Sequence, residues 1–162
     1  MSGVANKISL LWFWNILYIL IKINFFFIKM AQIKAAVAII LNEDKSKVYI
    51  SLRQKHQTYS NYWEFPGGKL ENNETFDECV KRELYEEVGI EKCVLKPYIS
   101  KKHINKDNIH VSLNFFIVEA YKGIPYPKEN QRLQLINISE LNNFKFLPAS
   151  LEIIKKLQKD YL

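Results

Sequence analysis

The sequence predicts an α+β fold, a mixed sheet with helices packed on it, and three observations predict it. Strand patterns and helix patterns are interspersed without the regular βαβ alternation of a doubly wound parallel sheet. Apolar residues make up 48% of the 162-residue chain and charged residues 25%, enough to bury one core. Neither a P-loop nor a dinucleotide-binding glycine fingerprint occurs, so the common parallel-sheet nucleotide folds lack support.

Each element follows from a local pattern. Ile33 to Leu41 is a near-continuous apolar run and reads as a buried strand. Asn42 to Lys47 is a polar turn. Val48, Ile50 and Leu52 alternate with Tyr49 and Ser51, as a half-buried strand should. Arg53 to Tyr62 is polar loop, and Glu64 to Gly68 turns into a second loop. Thr75 to Val88 has helical spacing, with Thr75 and Glu78 placed for a capping box and Gly89 at the stop. Cys93 to Ile99 reads as a short strand and Lys101 to Asn108 as a polar hairpin tip. Ile109 to Val118 alternates as a long strand, and Leu133 to Ile138 is a short one. Pro148 opens a last amphipathic helix with Leu151, Ile154 and Leu157 on one face.

The first 29 residues stand apart. Ile8 to Ile21 is almost wholly apolar, followed by Lys22, a second apolar run and Lys29. The 14 residues between Lys7 and Lys22 fall short of the ~20 that a spanning helix needs. No small-x-small cleavage site follows, which weighs against a signal peptide. Met30 begins a segment that reads at once as a first strand. The favoured organisation is an extension over 1–29, either a mis-assigned start or a membrane anchor, and a catalytic domain over 30–162.

The net charge of +6 is uneven. Lys7, Lys22 and Lys29 have no acidic neighbours in the extension, and the rest carries 20 basic against 17 acidic residues. That balance, without a basic run, offers no stable nucleic-acid partner. Cys79 and Cys93 belong to no CxxC pair or Cys/His cluster, which leaves two reduced thiols of a cytoplasmic protein and no zinc site.

The chemistry lies between Gly68 and Ile90. On a helix advancing about 100° per residue, Glu83, Glu86 and Glu87 fall within an arc of about 100° and about 6 Å of rise. Three such carboxylates repel one another unless a cation sits among them. A hard divalent ion such as Mg²⁺ takes a few carboxylates and keeps positions for phosphate. Val80, Leu84 and Val88 flank the acidic arc, which puts the carboxylates at the edge of the core. Arg82 stands four residues from both Glu78 and Glu86 and can pair with either. A bare Glu-x-x-Glu-Glu run is common on solvated helices. The preceding residues alter that reading.

Gly68, Glu74, Arg82, Glu83, Leu84, Glu86, Glu87, Gly89 and Ile90 fill every defining position of a pattern that resembles the Nudix box. The approach Trp63-Glu64-Phe65-Pro66-Gly67-Gly68-Lys69 is similar to that of MutT-type members, and the likeness spans roughly residues 31 to 160. The resemblance implies the Nudix fold, a mixed sheet sandwiched between helices. It implies Mg²⁺, with Mn²⁺ a possible substitute, held by Glu83, Glu86, Glu87, Glu129 and the Gly67 carbonyl. Glu83, Glu86 and Glu87 are the catalytic set, with Glu83 the favoured general base. Gly68, Glu74, Arg82 and Gly89 support the box. Arg53, Thr58, Glu64, Phe65, Pro66, Gly67, Lys69 and Ser150 are placed at the substrate. By the same resemblance, water attacks the β-phosphorus of a nucleoside triphosphate, giving monophosphate and pyrophosphate.

The implied function is an 8-oxo-dGTP diphosphatase that cleans the nucleotide pool and prevents mutation, acting as a monomer. Three departures bear on base selectivity. Ser150 stands where such proteins place Asn or Asp, Leu135 replaces a Trp, and Thr58 occupies a position where a His can stand. The alternatives are a pyrimidine triphosphate, a dinucleoside polyphosphate or the 5′ end of RNA as substrate. A non-catalytic nucleotide-binding module, membrane-tethered through residues 8–28, is the reading from another class.

Overall fold

A computed structural model describes residues 14–22, 32–104 and 109–162. Its elements are helix α1 (14–22), strands β1 (Gln32–Ile40), β2 (Lys47–Leu52), β3 (Trp63–Glu64) and β4 (Gly67–Lys69), helix α2 (Phe76–Val88), strands β5 (Cys93–Ile104), β6 (His110–Tyr121) and β7 (Arg132–Asn137), and helix α3 (Leu151–Tyr161). Short 3₁₀ turns occupy Ile138–Asn143 and Pro148–Ser150.

The expected mixed sheet is present and has the order β4-β1-β6-β5, with β1 and β6 parallel and the outer pairs antiparallel. A second sheet, β3-β2-β7, is antiparallel throughout. Alternation along β1 sorts the core. Ala36, Ala38 and Ile40 face α2, meeting Cys79, Val80, Leu84 and Val88. Ile39 looks the other way, into a cluster with Phe115, Ile50, Leu141, Ile154 and Leu157. The mixed sheet therefore lies between α2 on one side and α3 with the second sheet on the other. The alanines of β1 keep that face shallow, so α2 can lie close against it.

Several sequence expectations need correction. Lys101 to Ile104 belong to β5 and pair with Leu113 to His110, so the strand runs well past Ile99. Residues 105–108 of the anticipated tip lie outside the described residues. Lys101 pairs with Glu152, which lets a polar side chain sit comfortably in a strand. Glu64 to Gly68 was expected as turn and carries parts of two short strands. Ser51 of β2 is buried and Leu52 only half-buried, so the alternation ends before the strand does. In α3, Ile153, Ile154 and Leu157 are buried while Leu151 is exposed. The turn at Pro148–Ser150 is 3₁₀ rather than α, so Leu151 is the first residue of the helix and stands at its exposed end.

Of the N-terminal extension, only α1 lies within the described residues. Trp14, Ile16, Tyr18 and Leu20 are exposed. Among the described residues no helix is long and apolar enough to cross a membrane.

Candidate active site

The site is built on the turn that leads into α2. Gly67 has φ +148°, and a Cβ there would stand 2.3 Å from the Ala36 carbonyl oxygen. Only glycine lets β4 approach β1 so closely. The amide of Ala38 donates to the Pro66 carbonyl at 2.8 Å, and that of Leu70 donates to the Lys34 carbonyl at 2.9 Å, so the turn is fastened along β1. α2 opens with the expected capping box. The Thr75 side chain accepts from the Glu78 amide, and the Glu78 carboxylate accepts from the Thr75 amide at 2.9 Å. Gly89 closes it in the left-handed conformation, φ +71°. Burying Val80, Leu84 and Val88 fixes the rotation of α2, and that rotation delivers Glu83 and Glu87 to the glycine turn.

The contacts at the turn are close. A Cβ on Gly68 would stand 2.0 Å from Glu83 Oε1. The Gly67 amide donates to Glu87 Oε2 at 2.9 Å. Arg82 organises the remainder. Its Nε and Nη2 donate to the two oxygens of Glu74 at 2.8 and 3.0 Å, and Nη2 also reaches the Lys69 carbonyl at 3.0 Å. Its Nη1 donates to Glu83 at 2.8 Å and Glu86 at 3.0 Å. The pairing with Glu78 allowed by spacing does not form, since Glu78 is engaged in the capping box. Glu74 also accepts from the Glu71 amide, and Arg82 foremost draws its carboxyl down to about 2.

The carboxylates facing the turn behave oppositely. Burial, then the charges of Glu83, Glu64 and Glu129, pushes Glu87 up to about 8 although the Gly67 amide opposes the shift. Burial also raises Glu83, against the pull of Arg82. Glu64 is raised by burial despite its ion pair with Arg53. Glu64, Glu83, Glu86, Glu87 and Glu129 thus share one electrostatic neighbourhood, with negative charge in excess of the two guanidiniums. As the side chains stand, no three described His, Cys, Asp or Glu residues converge on one ion-sized point. Arg82 and the Gly67 amide draw the box glutamates to themselves. Even so, the donor set fits a hard divalent cation: all-oxygen, part-buried and under-neutralised.

Beside the glutamates lies a cavity of ≈ 400 Å³. Arg53, Thr58, Glu64, Phe65, Gly67, Gly68, Lys69 and Ser150 line it, which unites most of the residues placed at the substrate from sequence. Pro66 is buried beside β1 and is not among the lining residues. Ser150 reaches the wall because the Leu147 amide donates to the Trp63 carbonyl and Phe146 bridges to Trp63, tying the chain ahead of α3 to β3. Arg53 donates from Nε to the Thr58 carbonyl and from Nη1 to Glu64. It therefore shapes the wall as well as facing it.

Sequence reasoning missed the apolar floor, namely Ile33, Ala35 and Val37 of β1 with Val111, Leu113 and Phe115 of β6. The alternation at these positions was visible, but not which face would meet the site. Tyr59, held at φ +60°, and Leu147 were also missed. A larger groove of ≈ 580 Å³ opens between Asn42, Tyr98, Tyr121 and Asp160. It holds none of the box residues, so size does not select it as the reactive site.

Glu129 lies in the loop after β6. The Lys128 amide donates to the Glu87 carbonyl at 3.0 Å and the Tyr126 amide to the Val88 carbonyl at 3.2 Å, which docks the loop on the C-terminal end of α2. Leu135 of β7 is 39% exposed and lies outside the cavity lining.

A mixed sheet between helices, with a glycine turn packed on an arginine-held row of helical glutamates, defines a Nudix hydrolase, and the chain belongs to that family. The NUDIX domain model matches residues 32–157. The 8-oxo-dGTP diphosphatase of Escherichia coli (strain K12) is 36% identical over 130 residues, spanning 80% of this chain and 99% of that protein. The CTP pyrophosphohydrolase of the same organism is 28% identical, over 78% of this chain and 91% of its own. A solved structure of MutT, from work on the Aliivibrio salmonicida and Vibrio cholerae proteins, superposes with a TM-score of 0.69 at 30% identity, covering 80% and 98% of the two chains. Nudix hydrolases depend on divalent metal, which agrees with the under-neutralised carboxylates.

Proposed function

We propose that this protein hydrolyses nucleoside triphosphates to monophosphate and pyrophosphate with Mg²⁺, with 8-oxo-dGTP as its preferred substrate, and so keeps an oxidised base out of DNA. The observation that carries the reading is the juxtaposition of the Glu83–Glu87 cluster with a cavity that has an apolar floor and a buried polar wall. The likeness to the E. coli 8-oxo-dGTP diphosphatase supports the choice of base.

Glu83, Glu86, Glu87, Glu129 and the Gly67 carbonyl would hold Mg²⁺, or Mn²⁺ in its place. The metal would supply charge neutralisation of the polyphosphate and a more acidic water. The chain's own residues do the rest. Glu83 would take the proton of the water that attacks the β-phosphorus, its carboxylate held at the glycine turn by Arg82. Arg82 and Glu74 hold Glu83 and Glu86 in place. Arg53 fixes Thr58 and Glu64 and offers its remaining donors to phosphate. Lys69 stands at the mouth for the same charge. Phe65 and the strand floor exclude water around the base, and Ser150 reads its edge.

A second reading keeps the reaction and changes the base to a pyrimidine. Its support is Ser150, whose hydroxyl has less reach and fewer donors than an amide, together with the likeness to a CTP pyrophosphohydrolase. The test is kcat/KM for 8-oxo-dGTP, dGTP, dCTP and CTP under one Mg²⁺ concentration. A preference for 8-oxo-dGTP over dGTP of at least about 100-fold is expected, worth about 2.7 kcal/mol. Flat or pyrimidine-biased activity would overturn the oxidised-base assignment and leave the chemistry standing.

The same reading assigns catalysis to residues 30–162 of a monomer in the cytoplasm, a boundary that the family match over 32–157 supports. A chain begun at Met30 should keep its full kcat and elute as a monomer.

A further inference from the structure

We infer that Gln131 and Gln54 form an amide clamp that positions Glu129 against α2, and that this clamp sets the protein's affinity for divalent metal. The inference rests on the reading of Glu129 as a metal ligand given above.

Asn130 has φ +60°, a left-handed turn that folds the Gln131 side chain back over the loop. There Gln131 Oε1 accepts from the Glu129 amide at 3.0 Å, and Gln131 Nε2 donates to the Glu87 carbonyl at 2.9 Å. Gln131 is 7% exposed, one of three buried polar or charged side chains among the described residues. A buried amide satisfied on both ends is costly to disturb, because loss of either end leaves a backbone group unpaired. From the opposite side, Gln54 Nε2 donates to the Glu129 carbonyl at 2.9 Å, while its own amide is held by Gln57 Oε1 at 2.7 Å.

The backbone of Glu129 is thus gripped at both its N–H and its C=O, by side chains from two different parts of the chain. One end of the grip is the carbonyl of Glu87, whose own carboxylate faces the glycine turn. The arrangement couples three segments that carry site residues: the loop 53–62, α2 and the loop 123–131. Neither glutamine lines the substrate cavity. Each acts through Glu129 and is a positioning residue. Residues that orient metal-binding side chains in this indirect way commonly change affinity by 10- to 100-fold when removed.

The test measures Mn²⁺ binding to the nucleotide-free protein by EPR, beside kcat and KM with 8-oxo-dGTP and amide hydrogen exchange of residues 126–131 without metal. Gln131→Ala is expected to weaken Mn²⁺ about 10-fold and speed exchange at Glu129 and Lys128, with KM changed less than kcat. Gln131→Glu keeps the acceptor and loses the donor, and should fall between. Gln54→Ala, at a surface bond, should weaken Mn²⁺ about threefold and keeps the test alive if Gln131→Ala does not fold. Ile154→Val, on the buried face of α3, lowers stability and should leave Mn²⁺ binding unchanged. If Glu129→Gln alters neither Mn²⁺ affinity nor rate, the ligand assignment is wrong. If Glu129→Gln weakens Mn²⁺ while both glutamine variants bind it like the unsubstituted protein, the ligand stands and the clamp is overturned.

Discussion

At the scale of single residues, position within the glycine turn decides what a methyl group does. A Cβ on Gly67 meets backbone, the Ala36 carbonyl at 2.3 Å, in a conformation that side chains rarely adopt. A Cβ on Gly68 meets first the far end of the Glu83 side chain. Gly67→Ala should therefore cost several kcal/mol, lowering Tm by more than about 6 °C at the usual 2–4 °C per kcal/mol for a domain of this size. Gly68→Ala should keep Tm within a few degrees and lower kcat at least about 10-fold by displacing the Glu83 carboxylate. Calorimetry and steady-state kinetics on the pair check both, and equal Tm losses would contradict the geometry. Glu83→Gln should reduce kcat about 10²- to 10⁴-fold, the range for a general base, with nucleotide binding changed less than about threefold. A full rate from that variant, followed by pyrophosphate release, would move the base to another glutamate.

The residues of this network were unequally legible in the sequence. The Arg82–Glu86 pair follows the i, i+4 spacing of a helix and was legible, whereas Glu74 lies ahead of α2 and its pair with Arg82, eight residues on, was not. The pairing of Arg53 with Glu64 crosses 11 residues and two strands, and spacing carries no trace of it. The same holds for Gln54 and Glu129, 75 residues apart.

At the scale of elements, α2 combines a strong start with a strained flank. The capping box, the Gly89 stop and the apolar stripe were all visible, because each depends on spacing within the helix and its caps. β5 was under-read, since its outer half is polar and owes its conformation to pairing with β6 rather than to local pattern. The buried face of α3 was read correctly at Ile154 and Leu157 and missed at its first residue, Leu151, which is exposed.

The strained flank of α2 has a pH signature. Glu87 is raised from 4.5 to about 8, so between those values the metal-free folded state binds more protons than the unfolded one. Stability then falls as pH rises through that window, and is highest below the unfolded value. Metal-free protein should lose several degrees of Tm between about pH 5 and pH 8, and Glu87→Gln should flatten the profile and raise Tm at pH 8. Mg²⁺ should recover much of the loss in the unsubstituted protein. A metal-free Tm that climbs steadily across the same range would show that Glu87 is not the destabilising group.

At the scale of the molecule, the mixed sheet divides two tasks. One face carries α2 and the carboxylates, while the opposite face, with the second sheet and α3, builds the cavity wall that ends in Ser150. The fold class and the acidic row were readable because amphipathic period and box spacing are local. The cavity was not, because β1 lies beside β6 in a parallel pair made across more than seventy residues. This junction is proposed to direct water to the β-phosphorus of a nucleoside triphosphate in a metal-dependent way. Hydrolysis of 8-oxo-dGTP in H₂¹⁸O, with products resolved by mass spectrometry, tests it most directly. One ¹⁸O is expected in pyrophosphate, none in the monophosphate, and no reaction in EDTA. Label in the monophosphate, release of orthophosphate with diphosphate, or turnover without divalent metal would contradict it.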